Sequence, residues 1–164
     1  MPKPHHRPIR GATDDWLTPP WFLKLLGAPR AFALDPCCPA RMPWRTAERM
    51  VHADREDGLA LPWNGRVFLN PPYGPAIRHW LEKLAAHGNG IALVPARTEV
   101  ESWFWPYVWE AATAVVFLRG RLCYHRPDGT KARDAGHGSV VAAYGRSSAN
   151  LLRRAGLPGR FFEL

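Results

Sequence analysis

The run "RVFLNPPYG" at residues 66–74 constrains this chain more than any other stretch, because it sets a buried strand against an immediate stop. Val67, Phe68 and Leu69 are apolar and β-prone, and two successive prolines then remove two ladder donors, so the strand must end at Asn70. Beyond the strand lies a rigid elbow carrying one amide side chain, backbone carbonyls and one aromatic ring. Open α/β sheets place their ligands at the carboxyl ends of strands. An amide beside a ring in that position makes a slot for something flat.

The rest of the chain alternates strand and helix patterns. "TDDWLTPPWFLKLLG" predicts a short amphipathic helix with proline in its first turn, Trp21, Phe22, Leu25 and Leu26 at helical spacing, and Gly27 as its stop. "AFALD" reads as a strand ending at Asp35, "CCPARMPWR" is too rich in proline for regular structure, and "RMVHA" forms a short edge strand before the polar loop "DREDGLALPWNG". After the elbow, "AIRHWLEKLAAHG" puts Ile77, Trp80, Leu81 and Leu84 on one helical face and ends at Gly88. "GIALVP" is again a strand stopped by proline, and "SWFWPYVWEAA" is helical despite Pro106. "TAVVFLRGRLCYH" gives one long strand or a bent pair, "RPDGTKARDAGHG" a polar loop, and "GSVVAAYG" the last strand. Trp80, Trp103 and Trp105 fall in amphipathic segments and read as core. The order predicts an α/β fold whose sheet closes with an antiparallel pair.

Composition narrows what such a sheet serves. A length of 164 residues, 46% hydrophobic content and eight Trp fit a single domain with a real core. Residues 1–12 read as a flexible basic arm, which leaves residues 13–164 for the domain. A formal charge of +8 favours a polyanionic partner, most simply nucleic acid, with a solvated basic surface as the plain alternative. No stretch approaches the roughly 18 apolar residues of a membrane span, and "MPKPHHRPIRG" lacks the apolar middle of a signal peptide. A cytoplasmic setting is the expectation, and a monomer or a homodimer equally so. Cys37, Cys38 and Cys123 are poorly spaced for a disulfide or a zinc knuckle, so free thiols and no metal are expected.

"TPPWFLKLL", "FALDPCC", "DGL", "LNPPYG", "LVPARTE..WF" and "GR" before a "GS" strand occur in an order that resembles the phage-type, Dam-like DNA N6-adenine methyltransferases, which use S-adenosylmethionine. The resemblance runs from about Asp15 to Ala143 and implies an abbreviated Rossmann-like methyltransferase sheet, a DNA substrate and, for a phage-encoded protein, the host cytoplasm. It implies that Thr18 and Pro19 contact the methionine carboxylate of the cofactor, that Asp35 faces its cationic end with Pro36 and Cys37 shaping the turn, and that Asp57 accepts from its adenine. "DPCCPA" stands where other methyltransferases carry a glycine-rich loop. An acid for the ribose has no counterpart, since between Cys38 and Asp54 stands only Glu48 with no strand to carry it.

The elbow fits that chemistry on physical grounds as well. Adenine's exocyclic amine is a poor nucleophile because its lone pair is delocalised into the ring. Two acceptors, the Asn70 side-chain oxygen and the Pro71 carbonyl, hold its hydrogens and favour the positive charge that develops, while Pro72 keeps the elbow rigid. Tyr73 then stacks on a base that has left its duplex. Arg97, Thr98 and Glu99 follow a strand end on the active side, suited to substrate phosphate or the cofactor, with a plain surface pair of Arg and Glu as the alternative, and Arg121 has the same two readings; Lys3, Arg7 and Arg10 of the arm suit DNA phosphate. The alternatives are a methyltransferase for an RNA base or a protein glutamine, and a DNA-binding module without activity.

Overall fold

A computed structural model describes residues 16–164; the arm at residues 1–12, the expected start of order near Thr13, and Lys3, Arg7 and Arg10 lie outside the described residues. The strands are β1 (Leu34–Cys38), β2 (Arg49–His52), β3 (Val67–Leu69), β4 (Gly90–Pro95), β5 (Ala114–Leu118), β6 (Cys123–His125), β7 (Lys131–Asp134), β8 (Ser139–Tyr144) and β9 (Gly159–Glu163). Seven of them form one sheet in the order β2-β1-β3-β4-β8-β5-β9, and β6 and β7 pair separately. The first four sheet strands are joined in parallel. β8 runs antiparallel to both β4 and β5, and β9 antiparallel to β5. β1 to β5 therefore point one way within the sheet and share a carboxyl rim.

β1, β3, β4 and β8 are buried on both faces, as their near-continuous apolar runs require, while of the edge strands β2 is partly and β9 largely exposed. Val67 and Leu69 of β3, with Ala92 and Val94 of β4, face helix α2 (Ile77–His87) and a π-helical turn at Trp105–Trp109. Phe68, Ile91 and Leu93 face α1 (Pro20–Leu25) and α3 (Arg146–Arg154). Helix α2 buries Ile77, Trp80, Leu81 and Leu84 and ends in the left-handed residue Gly88, as its pattern predicts. A six-residue helix such as α1 is too short to be stable alone. It holds because Phe22, Leu23 and Leu26 are buried, each such side chain contributing about 1.5 to 3 kcal/mol.

Several expectations need correction. Trp21 and Leu25 of α1 are 44% and 41% exposed, so the buried face turns on Leu23 instead. β1 does not stop at Asp35 but continues through Pro36 to Cys38, with a register shift against β2 that accommodates the proline. The apolar run from Ala114 to His125 is two strands in different sheets, because Gly120 at φ +75° turns the chain between them. The polar stretch after His125 is a hairpin arm, not a loop, and "GSVVAAYG" is followed by α3 and β9. Trp105 is 49% exposed, whereas Trp80 and Trp103 are core as expected. Among the described residues no helix is long and apolar enough to cross a membrane, and no group of three or more His, Cys, Asp or Glu is placed to hold a metal.

Candidate active site

β3 ends at Leu69, and the two prolines turn the chain at the carboxyl rim with Pro71 buried. The Asn70 amide is held there: its Nδ2 donates to Thr18 Oγ1 at 3.0 Å. Its Oδ1 faces the Tyr73 hydroxyl at 3.4 Å, and that hydroxyl lies 2.7 Å from the hydroxyl of Tyr124 on β6. Thr18 is 2% exposed, in the segment before α1. Its neighbour Leu17 exchanges two backbone hydrogen bonds with His125, of 2.8 and 3.0 Å, next to Tyr124. Trp44 Nε1 donates to the Thr18 carbonyl at 3.0 Å, and its ring meets His125 edge-on. Burial first, and then Tyr124, pushes the Tyr73 phenol up; burial raises Tyr124 too, so both remain neutral hydroxyls.

This cluster opens on a cleft of about 290 Å³ bordered by Trp16, Tyr73, Tyr124, Arg126 and His137. Tyr73 and His137 meet edge to face at 5.3 Å. A larger groove of about 570 Å³ lies along Phe117, Arg119 and Arg160 at the β5–β9 edge. It contains no residue of the elbow, whereas Tyr73 of the elbow borders the smaller, aromatic cleft.

The end of β1 lies beside the elbow. Cys37 Sγ donates to the Asn70 carbonyl at 3.4 Å, and burial followed by Asp35 pushes its thiol up, so it stays protonated. Asp35 is 3% exposed rather than open to the rim: Oδ2 accepts from Thr46 Oγ1 at 2.6 Å, and Oδ1 from the Cys37 amide at 3.2 Å. Burial outweighs those hydrogen bonds and pushes its carboxyl up to about 6. Pro36 is buried against Gly58, where a Cβ would collide with the Pro36 carbonyl oxygen. Only glycine lets the loop after Asp57 lie that close to β1.

That loop is also tied down from the other side. Trp63 Nε1 donates to the Gly58 carbonyl at 2.8 Å, and Lys83 of α2 donates to the Leu59 and Leu61 carbonyls at 2.7 and 2.5 Å. Asp57 is exposed and uses Oδ1 to accept from the Leu59 amide at 2.9 Å, which fixes its side chain. β2, the edge strand expected from "RMVHA", pairs in parallel with β1, and the exposed Asp54 comes shortly after its end.

Of the remaining expected residues, one is buried and three are exposed. Pro19 is buried as the residue that caps α1. Arg97 and Thr98 are exposed past β4, with Arg97 Nε paired to Glu99 Oε1 at 2.5 Å. Arg121 is exposed in the link from β5 to β6. Sequence reading missed Tyr124, Thr46 and Asp54. The turn "PDGT" between two short strands was the available signal for the hairpin that carries Tyr124.

A family model described as "DNA N-6-adenine-methyltransferase (Dam)" matches residues 8–150. No curated protein and no solved structure matches the chain.

Proposed function

Because the chain belongs to the DNA N-6-adenine-methyltransferase (Dam) family, we propose that it transfers the methyl group of S-adenosylmethionine to the exocyclic N6 of adenine in DNA. The observation that carries this reading is the orientation of Asn70: its amide nitrogen donates to Thr18, and its oxygen lies 3.4 Å from the hydroxyl of Tyr73, a residue that borders the aromatic cleft. An acceptor fixed there before the substrate arrives costs no reorganisation when charge develops on the amine.

The donor set beside the elbow fits the cofactor. Exposed carboxylates at Asp54 and Asp57 flank the end of β1, suited to ribose hydroxyls and an adenine amine, and Asp35, Pro36 and Cys37 form the floor. What S-adenosylmethionine supplies when bound is an electrophilic methyl on a sulfonium. The chain does the rest by placement. Asn70 Oδ1 and the Pro71 carbonyl accept the two amine hydrogens, which draws the nitrogen lone pair out of the ring and favours the cation that forms as the methyl arrives. Tyr73 presents its ring to the extruded base and offsets lost stacking by about 1 to 3 kcal/mol. Proximity and alignment supply most of the rate. The Rossmann-like assignment of the sheet belongs to the same reading, supported by the parallel β2-β1-β3-β4 half and the reversed β8.

The test is incubation of the protein with methyl-labelled cofactor and, separately, DNA, RNA and protein. Label recovered as N6-methyl-2′-deoxyadenosine from DNA alone is expected. Label in RNA or in glutamine, or in no acceptor while DNA is bound, overturns the reading.

A further inference from the structure

Three segments far apart in the chain close a ring around the elbow. Asn70 reaches Thr18, Leu17 pairs its backbone with His125, and Tyr124 returns through its hydroxyl to Tyr73, three residues after Asn70. Thr18 is 2% and Tyr124 4% exposed, and each hydroxyl meets one elbow side chain, Asn70 and Tyr73 respectively. An amide side chain is free to turn about its last bond and an aromatic ring to swing on its first, and the elbow's own backbone constrains neither. The prolines fix where Asn70 and Tyr73 start, not where their reactive faces point.

We infer that Thr18 and Tyr124 are positioning residues: the Thr18 hydroxyl sets the Asn70 amide so that its oxygen faces the substrate, and the Tyr124 hydroxyl holds the Tyr73 ring at the angle at which it receives the base. The inference rests on the methyl-transfer reading above and reassigns the Thr18 hydroxyl, which the family resemblance gives to the cofactor's carboxylate. It gives the hairpin β6–β7 a role as the strut that braces the elbow. It also changes what Tyr73→Phe should do: the ring face survives, but the tether to Tyr124 does not.

The experiment is steady-state methylation of DNA by full-length Thr18→Val, Thr18→Ser, Tyr73→Phe, Tyr124→Phe and the double Tyr73→Phe/Tyr124→Phe, each first checked for an unchanged melting curve. Loss of one oriented hydrogen bond predicts a fall in kcat of roughly five- to tenfold for Thr18→Val, with the KM for cofactor unchanged. Thr18→Ser should regain most of it, because it keeps an oxygen at the same place. Tyr73→Phe, which also removes the hydroxyl beside Asn70 Oδ1, should lose at least as much as Tyr124→Phe, and the double variant no more than Tyr73→Phe alone, since the bond between the two hydroxyls is already gone in either single variant. Independently of turnover, the Asn70 side-chain amide hydrogens should exchange with solvent faster in Thr18→Val than in the parent protein. A raised cofactor KM at normal kcat in Thr18→Val, or additive losses in the tyrosine pair, overturns the inference. If the parent protein modifies no DNA at all, the functional reading fails, and unchanged amide exchange in Thr18→Val would then sink the positioning role separately.

Discussion

Asn70 and Asp35 are both short polar side chains at strand ends, yet their surroundings assign them opposite tasks. Asn70 has its amide nitrogen on Thr18 and its oxygen beside the Tyr73 hydroxyl, and on the proposed methyl transfer Asn70→Ala should leave folding and cofactor binding nearly intact and lower kcat by roughly two to three orders of magnitude. Isothermal calorimetry beside a turnover assay separates the two effects. Asp35 has both oxygens engaged and its carboxyl pushed up to about 6 by burial. In the unfolded chain it ionises near the ordinary value of 3.8, so between about pH 4 and pH 6 the folded state binds the extra proton. Stability from this residue is therefore greatest below pH 4 and is lost as the pH rises to 6, a difference of about 3 kcal/mol. Urea unfolding from pH 4 to pH 7 should show Asp35→Asn equal to the parent at the acid end and more stable at neutrality. A constant offset across that range would place the cost elsewhere than in the charge.

At the scale of elements, the loop from Asp57 to Leu61 shows how Asp57, a cofactor residue on the proposed reading, is held without secondary structure of its own. Gly58 lies against the Pro36 carbonyl, while Trp63 and Lys83 bind the loop's carbonyl groups. Gly58→Ala forces β1 and the loop apart, and should cost about 1 to 3 kcal/mol and several degrees of Tm while weakening cofactor affinity. Gly74→Ala has open space around it and serves as a control for the collision, though its φ of +132° carries strain of its own. How far the sequence discloses such arrangements depends on period. α2 and β4 are legible because their apolar residues repeat at one spacing and proline or glycine ends them. The β6–β7 hairpin is not, because its strands are polar and short and its buried tyrosine is held through a hydroxyl partner 51 residues away. In the site, Asn70 and Tyr73 are readable from their own neighbours. Thr18 and Thr46 are not, since their meaning lies in the groups they meet, Asn70 and Asp35, which are distant in sequence.

For the molecule as a whole, on the proposed reading the +8 charge sets how DNA is met before any base is read. Affinity for duplex DNA should fall steeply with salt as condensed counterions are released, and removal of residues 1–10, with Lys3, Arg7 and Arg10, should lower the slope of log affinity against log salt by about one for each phosphate left without its cation. Filter binding over a salt series measures that slope, and nucleoside analysis of the shortened protein should still find adenine as the modified base. A flat salt dependence would contradict a phosphate-binding surface. The position of β8 has a consequence of another kind. This strand is made late, at Ser139–Tyr144, yet sits in the middle of the sheet, between β4 and β5. β5 has only β8 and β9 as partners, both still to be synthesised when it emerges. During translation the first four sheet strands therefore wait with β4 as an open apolar edge, and a nascent chain stalled before Ser139 is a substrate for chaperones or a seed for aggregation rather than a working half-enzyme.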